Sequence, residues 1–565
     1  MTAIPAFLLK KLYVKGSLRN TPAGCEFCVR NMLESGTVTR FYDLEVDGHA
    51  YPPQRLRVHL PDGQSLRGDE IVTAPLSLPG GVAVTLQLPG VTLPPGKHEL
   101  RLHFHTAELG ALDFKVTDDL GASVPIENQK SKIKVAILGA GSTVFARQLM
   151  TDLLCTPGLE QGTFALVDID TRRLELAHRI GEKLVERSGR EWTVEATSDR
   201  TLVLPGCHYV INTIEVAGLR NVGHDYDIPL KYGVDQCIGD TIGPGGVFKM
   251  LRTGPAWLDI LRDVERLCPG AVVMNYTNPM SALTLLALRA TKLQVVGLCH
   301  SVQGTSRQLA GYLDLPYEEL RFRCAGINHL AWFTELTHDG QDLYPRLRAA
   351  AHNPEIYECD PVRFEVLLHF GAFVTESSGH FSEYVPYFRK RPELLARYTR
   401  SGYRGESGFY AHNWPRWRAE ADETTQAQLD GRSEIVLKRS SEYASTIVEA
   451  METDRPAVIH GNVLNTGLID NLPAGGCVEV PVLVDGTGLH PTWFGPLPPQ
   501  LAALDAPHMY VHELLVQAVL ERDRQAALHA LLLDPLTAAV CSPEEIAAMF
   551  EEMWAAQRAD LVGFE

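Results

Sequence analysis

The sequence lacks the features that direct a chain into a membrane or out of the cell. None of its apolar runs is long enough to span a bilayer, and no apolar core follows a basic start at the N-terminus. Its eleven cysteines are irregularly spaced, and the single close pair, Cys25 and Cys28, is weak evidence for zinc without a second pair. We therefore expect reduced thiols in a cytoplasmic protein that has no membrane partner.

A basic surface is also missing. The 565 residues include 52 lysines and arginines against 69 aspartates and glutamates, which gives a formal net charge of −17. Because phosphate backbones bind basic surfaces, this balance argues against a nucleic-acid partner. Internal repeats and low-complexity segments are absent too. A chain of this length exceeds what one hydrophobic core usually holds, so we expect two or three domains.

Residues 1–130 have the pattern of a small all-β domain, either a sandwich or a barrel. Apolar residues alternate with other residues at 82–88 and 100–104, and glycine and proline turn signals separate such runs. The region has no cluster of catalytic residue types. We predict that it is an accessory domain.

A dinucleotide-binding βαβ unit is predicted directly after this region. A buried-strand run, 135–138, precedes a GAGS turn and a helical pattern, and a second run, 164–167, ends in an aspartate. The glycines allow the backbone to approach a pyrophosphate, and the acid would accept hydrogen bonds from ribose hydroxyls, which favours NAD. Val144 replaces the third glycine of GxGxxG, and the alternative is a tight turn without a ligand. The residues predicted to contact NAD are Gly139, Gly141, Ser142, Asp168 and Asn212.

Strands continue to alternate with helices, which predicts a Rossmann-type doubly wound α/β sheet. The run 271–274 ends in two amides, Asn275 and Asn278, which could bind sugar hydroxyls because an amide both donates and accepts hydrogen bonds. The alternative is an Asx turn that caps the next helix. A glycine-rich loop, 239–246, contains one acid, Asp240.

The stretch from Cys299 to His329 is predicted to hold a divalent metal. Cys299 and His300 follow one apolar run, and His329 follows another. Ligands of α/β sheets are held at such strand ends, and a thiolate with an imidazole suits a borderline or soft metal. The alternative for Cys299 is a small buried apolar side chain.

The remainder of the chain has a mixed α+β pattern. We predict a nucleotide-binding domain at 131–325 and a C-terminal domain for substrate, metal and oligomerisation at 326–565. Helices are expected at 363–373 and 433–453. Between them, the segment 376–388 combines polar and aromatic residues, a composition typical of a sugar site.

Taken together, these motifs resemble glycoside hydrolase family 4, and in particular its NAD-dependent α-galactosidase branch. The resemblance extends from about residue 132 to the C-terminus and does not cover the first 130 residues. Its blocks are 139–142, 239–241, 275–279, 298–301, 326–329, 375–378, 462–465 and 471–473. It implies hydrolysis of α-glycosides, above all α-galactosides, with α-glucosidase or α-glucuronidase activity as alternatives. It also implies a homodimer or homotetramer.

The same resemblance implies an unusual mechanism, which the two-carboxylate scheme of most glycosidases does not describe. NAD⁺ removes a hydride from C3 of the sugar, a base removes the acidified C2 proton, the glycosidic oxygen leaves, water adds, and NADH returns the hydride. Cys299 and His329 would hold Mn²⁺ or a similar divalent ion, which stabilises the enediolate. His300 would protonate the leaving oxygen, a position at which some relatives have aspartate.

The other catalytic roles also follow from the resemblance. Asp240 matches an acid that raises the basicity of the C2 base, and Asn278 matches an amide that binds substrate. For the base itself, the tyrosine-rich motif of several relatives is not cleanly reproduced here. Tyr384 is our first choice and His380 the second.

Two other classes of protein fit part of the pattern. One is an NAD-dependent hydroxy-acid dehydrogenase of the lactate and malate type, and the other is a non-catalytic protein that binds NAD or sugar. Within the family, a uronate substrate would need a cation near C6, for which Arg220, Arg252 and Lys249 are available.

Overall fold

The computed structural model divides the chain into two units, Met1–Gln129 and Lys130–Glu565. The residues it describes are 12–14, 17–21, 23–31, 36–60, 64–78, 82–94, 96–120 and 133–564. Among the helices of these residues, none combines the length and the apolar character that crossing a bilayer requires.

The first unit consists of two antiparallel sheets, so the all-β prediction is confirmed. One sheet has the order β1-β2-β9-β6-β7; the other has β5-β4-β10-β3-β8, with β11 paired to β10. Phe27 and Leu86 of the first sheet share one apolar core with Leu100 and Leu102 of the second, as in a sandwich. The strands are β1 Arg19–Thr21, β2 Gly24–Arg30, β3 Gly36–Phe41, β4 Leu44–Val46, β5 His49–Tyr51, β6 Arg57–His59, β7 Ser65–Arg67, β8 Leu76–Leu78, β9 Ala83–Pro89, β10 Gly96–Thr106 and β11 Gly110–Leu120.

One large sheet forms the centre of the second unit, with the order β14-β13-β12-β15-β16-β17-β22-β23-β18-β19-β20. Its first six strands are parallel and follow the 3-2-1-4-5-6 order of a dinucleotide-binding fold, which confirms the predicted α/β class. The strands are β12 Ile133–Leu138, β13 Gln161–Val167, β14 Glu191–Thr197, β15 Tyr209–Asn212, β16 Val272–Asn275, β17 Gln294–Gly297, β18 Arg321–Ile327, β19 Leu330–His338, β20 Gln341–Asp342, β21 Phe373–Val374, β22 Ala457–Leu464, β23 Cys477–Asp485 and β24 Gly488–Pro491.

Apolar cores cover both faces of this sheet. Val135 and Ile137 of β12 belong to one core, while Ala136 and Leu138 belong to another, as expected for a parallel strand flanked by helices. The helices are Thr143–Cys155, Thr171–Ser188, Gly218–Lys231, Gly243–Leu267, Met280–Ala290, Ser301–Tyr312, Tyr344–Ala350, Pro354–Tyr357, Pro361–Phe370, Ser378–Tyr384, Pro392–Tyr398, Phe409–Leu429, Tyr443–Thr453, Pro499–Glu521, Arg524–Leu533, Pro535–Val540 and Pro543–Gln557.

The predicted domain boundary at residue 325 differs from the structure, because residue 325 lies inside β18. Strands from the C-terminal half continue the same sheet: Asn462 of β22 pairs with Gly297 of β17, and Glu479 of β23 pairs with Gly326 of β18. Backbone pairing between distant segments therefore joins the nucleotide-binding half to the C-terminal half in one unit. This continuity also brings the ends of β17 and β18, which precede Cys299 and His329, to the same sheet.

Two predicted helices have different bounds in the structure. The helix expected at 433–453 begins only at Tyr443, and the helix expected at 363–373 ends at Phe370, where Gly371 adopts a left-handed conformation.

Candidate functional site

The glycine turn after β12 leaves no room for side chains. Gly139 has φ 81°, and a Cβ there would lie 2.5 Å from the carbonyl oxygen of Thr213. A Cβ on Gly141 would lie 2.6 Å from Oδ2 of Asp168, and the Gly141 amide donates a hydrogen bond to that oxygen over 2.7 Å. The acid at the end of β13 therefore lies against the turn, as the βαβ pattern predicts.

The same turn is open toward the helix Thr143–Cys155. Ser142, at the N-cap of this helix, is exposed and makes no side-chain capping bond. Arg173 stabilises the turn, since its Nε donates a hydrogen bond to the Gly141 carbonyl and its Nη1 donates one to Asp422. A close backbone approach, a free helix N-terminus and an adjacent acid fit a dinucleotide.

Asn212 and Asn275 lie deeper than predicted and do not face a ligand. Both are fully buried, and Nδ2 of Asn212 donates to Oδ1 of Asn275 over 2.8 Å. The same Oδ1 accepts the Thr277 amide, which is the Asx turn that the sequence left open as the alternative. The two amides join the ends of β15 and β16, so the structure corrects their predicted roles in NAD and substrate binding.

Cys299 and His329 come together with a third side chain, Glu376. Their ligand atoms all lie within 4.8 Å of one another, an arrangement found once among the residues that the structure describes. Nε2 of His329 is 3.5 Å from Oε2 of Glu376, and His329 adopts the left-handed φ of 64° that is uncommon for residues other than glycine. A thiolate, an imidazole and a carboxylate fit a divalent transition metal such as Mn²⁺.

Electrostatics in this triad favour a cation. Burial, and then the Glu376 carboxylate, raise the pKa of Cys299 to about 11. Burial would also raise the pKa of Glu376, but His329 and His380 hold it below its usual value. A divalent ion would reverse the penalty on the thiolate, because a metal-bound thiol is deprotonated.

The two predicted bases both contact the other nitrogen of His329. Nε2 of His380 lies 3.0 Å from Nδ1 of His329, and the Tyr384 hydroxyl lies 3.3 Å from the same atom. His380 is 3% exposed and Tyr384 1%. Both side chains therefore lie on the side of the imidazole away from Glu376, where they can hold its orientation and tautomer.

Glu383 connects this cluster to the glycine-rich loop. Its Oε1 accepts the amides of Cys237 and Ile238 over 2.5 and 2.6 Å, and its Oε2 accepts the Gly239 amide over 3.2 Å. The same Oε2 also lies 3.1 Å from Nδ1 of His380. One buried carboxylate thus fixes both the histidine and the loop that leads to Asp240.

Asp240 is held by several donors. Nζ of Lys249 lies 3.2 Å from its Oδ2, and Nδ2 of Asn278 lies 3.2 and 3.4 Å from its two oxygens. Burial would raise the pKa of Asp240, but Lys249, His380 and the hydrogen bonds lower it well below its usual range. Asp240 is therefore expected to be ionised at neutral pH, and Asn278 bonds to it rather than capping the helix after Pro279.

His300 differs from these buried groups because its side chain is exposed to solvent. Its side chain is 71% exposed, and Nδ1 lies 3.5 Å from Oε1 of Glu442. It stands at the N-cap of the helix Ser301–Tyr312, directly after Cys299. The predicted proton donor thus lies at the solvent side of the candidate metal triad.

A cleft opens beside Asp240. Its charged lining consists of three carboxylates and two cations, which gives a net charge of −1. These are Glu215, Asp225, Asp240, Lys249 and Arg252. Tyr410 and Trp414, whose rings stack at 5.3 Å, form an aromatic wall from the helix Phe409–Leu429. The pocket thus combines hydrogen-bonding groups with ring faces.

Three functional groups of this site were missed in the sequence. Glu376 lies within a recognised block, 375–378, and Glu383 lies three residues after His380 on one helical turn, so a search for acids near the histidines could have found both. No local signal marks Glu215, which reaches the pocket from the loop after β15.

Comparison with known proteins gives matches to both halves of the second unit. The profile described as "Family 4 glycosyl hydrolase" matches residues 134–315, and that of the "Family 4 glycosyl hydrolase C-terminal domain" matches 324–537. Residues 8–121 match a profile described as "Hydroxymethylglutaryl-CoA reductase, N-terminal domain".

Individual proteins are similar over most of the chain. An α-galactosidase of Bacillus subtilis (strain 168) is 40% identical over 429 residues, 75% of this chain and 98% of that protein. An α-galacturonidase of Lachnoclostridium phytofermentans is 28% identical over 460 residues, 76% of this chain and 97% of that protein. A 6-phospho-α-glucosidase from gut microorganisms, crystallised with NAD and Mn²⁺, is 19% identical with a TM-score of 0.64 and covers 76% of this chain and 99% of its own.

Proposed function

The chain belongs to glycosyl hydrolase family 4, and from this premise we propose that it hydrolyses neutral α-galactosides with bound NAD and a divalent cation. The family resemblance drawn from the separated motifs is thereby confirmed, and the protein is a glycosidase. The dehydrogenase and non-catalytic alternatives are set aside.

The charge balance of the pocket is the observation that supports a neutral sugar as the substrate. The two cations of its lining are neutralised within the protein: Nζ of Lys249 lies 2.9 Å from Glu215 and 3.2 Å from Asp240. Arg252 makes two hydrogen bonds to Asp225, over 2.7 and 3.0 Å, although its Nε has no acceptor. With a net charge of −1, the lining offers a carboxylate or phosphate substrate no unpaired positive charge.

Arg220, the third cation considered for a uronate, is not part of this lining. It is paired with Asp560 at the surface, with 67% of its side chain exposed. The pocket therefore supports the α-galactosidase named among the similar proteins over the α-galacturonidase and the 6-phosphoglucosidase.

We assign the cofactors to the two sites that fit them. Gly139, Gly141 and Asp168 would hold NAD, and Cys299, His329 and Glu376 would hold the divalent cation. When bound, NAD supplies reversible oxidation at C3 of the sugar, and the cation supplies charge stabilisation at the neighbouring oxygens.

The chain's own residues then handle the protons. We propose that Tyr384 removes the C2 proton, because its hydroxyl makes only the contact with His329, whereas both nitrogens of His380 are engaged. His380 is then a positioning residue. An imidazole N–H directed at the phenolic oxygen would lower the cost of forming the phenolate. His300, exposed beside Cys299, would protonate the leaving oxygen.

A direct test is incubation with 4-nitrophenyl α-galactoside, NAD⁺, Mn²⁺ and a thiol reductant. We expect steady release of nitrophenol without net accumulation of NADH, and little release from the galacturonide or the 6-phosphate. Chelation of the metal should stop release, and Mn²⁺ should restore it. Stoichiometric NADH formation, or preference for an acidic sugar, would contradict the proposal.

Two further features are proposed from the family resemblance and the composition. We expect a homodimer or homotetramer, which light scattering during gel filtration would measure. The eleven free cysteines are consistent with a reducing compartment such as the cytoplasm. We expect no nucleic-acid or membrane partner.

A further inference from the structure

Glu215 has one oxygen engaged and one unpaired inside the sugar pocket. Its Oε2 lies 2.9 Å from Nζ of Lys249, while its Oε1 is buried and has no hydrogen-bond partner. Lys249 is itself only 7% exposed and also contacts Asp240. A buried carboxylate oxygen without a donor needs one, since buried polar groups are otherwise costly.

Gly218 packs closely against this oxygen and against the ring of Trp414. A Cβ at Gly218 would lie 2.6 Å from Oε1 of Glu215 and 2.3 Å from Cη2 of Trp414. The unpaired oxygen therefore lies at the meeting of the loop after β15 with the aromatic wall of the pocket. A sugar that stacks on Trp414 would present its hydroxyl edge toward a group at this place.

We propose that Glu215 determines the charge specificity of the pocket: its free Oε1 accepts a hydroxyl of a neutral sugar, while its Oε2 withholds Lys249 from acidic sugars. The proposal deepens the function proposed above and rests on it. Both oxygens favour a neutral sugar over an acidic one, because a carboxylate can accept a hydrogen bond from a hydroxyl but repels another carboxylate.

Asp240 connects Glu215 to the residues around the candidate metal site. Asp240 lines the pocket together with Glu215 and Lys249, and its charge is felt by His380, which contacts the metal ligand His329. A substrate group bound at Glu215 would therefore share its pocket with Asp240. A change of charge there should alter selectivity between substrates of equal size.

The test is Glu215→Gln, which keeps the shape of the side chain and removes its charge. Lys249 keeps Asp240 as a partner, so the variant is expected to fold. We expect the ratio of kcat/KM for 4-nitrophenyl α-galacturonide to that for the galactoside to rise at least ~10-fold. Adding Lys249→Met to this variant should remove the gain, because the cation that has lost one of its two carboxylate partners would be absent.

Binding gives a readout that is independent of turnover. Tryptophan fluorescence, with Trp414 in the pocket wall, would follow titration of the full-length protein with galactose and with galacturonic acid. In the parent protein, galactose should bind and galacturonic acid should not; Glu215→Gln should weaken the first and strengthen the second. Glu513→Gln, which removes a surface partner of Arg289, is the matched control and should change neither.

The outcomes separate the two proposals. If galactose neither binds to the parent protein nor is released from its glycoside, the proposed function fails. If galactose binds but Glu215→Gln leaves the galacturonide-to-galactoside ratio within twofold of the parent, the role of Glu215 fails and the proposed function stands.

Discussion

Nε2 of His380 lies 3.0 Å from Nδ1 of His329, and this contact joins the candidate metal ligand to the rest of the active site. Through its other nitrogen His380 reaches Glu383, whose carboxylate accepts three consecutive amides of the loop before Asp240. Outer contacts of this kind set the orientation of a ligating imidazole. The candidate metal triad and the pocket beside Asp240 are therefore positioned by the same buried groups.

Replacement of Glu383 tests this connection. Glu383→Gln would place an amide NH₂ group among backbone donors and break the contacts to His380 and to residues 237–239. We expect kcat/KM to fall about 10–100-fold, the range typical for loss of a group behind a metal ligand. Glu393→Gln, at an exposed acid, is the control. Unchanged kcat/KM and metal affinity in Glu383→Gln would show that the loop and His380 hold their places without it.

Cys299 is expected to be indispensable for the metal but not for the fold. Cys299→Ser replaces a soft thiolate with a hydroxyl, so Mn²⁺ content after dialysis and glycosidase activity should both fall more than tenfold. The thermal midpoint without metal should change little, since a serine hydroxyl can keep the contact that the Cys299 sulfur makes with Oγ of Ser301. Cys359→Ser, at an exposed thiol, should leave metal content and activity unchanged. Retention of stoichiometric metal by Cys299→Ser would remove this residue from the ligand set.

The two asparagines near the strand end should separate into a functional and a structural residue. Asn278→Ala removes a donor to Asp240, so kcat/KM should fall while the free energy of unfolding changes little. Asn275→Ala leaves Asn212 without its buried partner and should cost about 1–3 kcal/mol of stability. Urea unfolding and steady-state kinetics on both variants measure the contrast. Equal effects on stability would contradict the assignment.

His512 should contribute a specific pH dependence of stability. Burial, and then the neighbouring His508, lower the pKa of His512 to about 3, below the value of about 6.5 expected in the unfolded chain. The unfolded state therefore binds a proton that the folded state does not, and stability is lost as pH falls from about 6.5 toward 3. The slope from one such group is at most about 1.4 kcal/mol per pH unit.

The variant His512→Gln isolates this contribution from other titrating groups. Its stability relative to the parent protein should rise as pH falls through that window and stay constant above pH 7. Chemical unfolding at several pH values measures the difference. The exposed His369→Gln is the control and should show no such trend. A difference that does not vary with pH would mean that His512 is not buried in its neutral form.

Much of the fold follows from local patterns. Alternation of apolar residues marks the first unit, and the succession of buried strands with Gly139 and Asp168 marks the dinucleotide-binding half, because parallel strands buried on both faces read as continuous apolar runs. What such patterns do not specify is pairing between distant strands. The antiparallel pairs Gly297–Asn462 and Gly326–Glu479 join the two halves, and no local signal predicts them.

The candidate site likewise has residues that the sequence could identify and features that only the folded structure shows. Residue type and strand-end position were enough to single out Cys299, His329 and Asp240, because soft ligands and isolated acids at such places are chemically distinctive. Burial, in contrast, depends on the packed molecule. Asn212 and Asn275 share the residue type of a ligand-binding amide, yet packing closes them off and leaves each as the other's partner.

Chain chemistry alone was enough to predict the family, the nucleotide turn and the cysteine–histidine pair of this protein. Tertiary packing decided that Glu376 lies beside Cys299 and His329, that His380 and Tyr384 contact Nδ1 of His329, and that Glu215 pairs with Lys249. The reason is physical: a side chain's chemistry is a local property, but its charge balance and its access to substrate depend on neighbours contributed by remote segments. The pocket beside Asp240 is an example, because its charged residues lie within 215–252 and meet Tyr410 and Trp414 only in the folded chain.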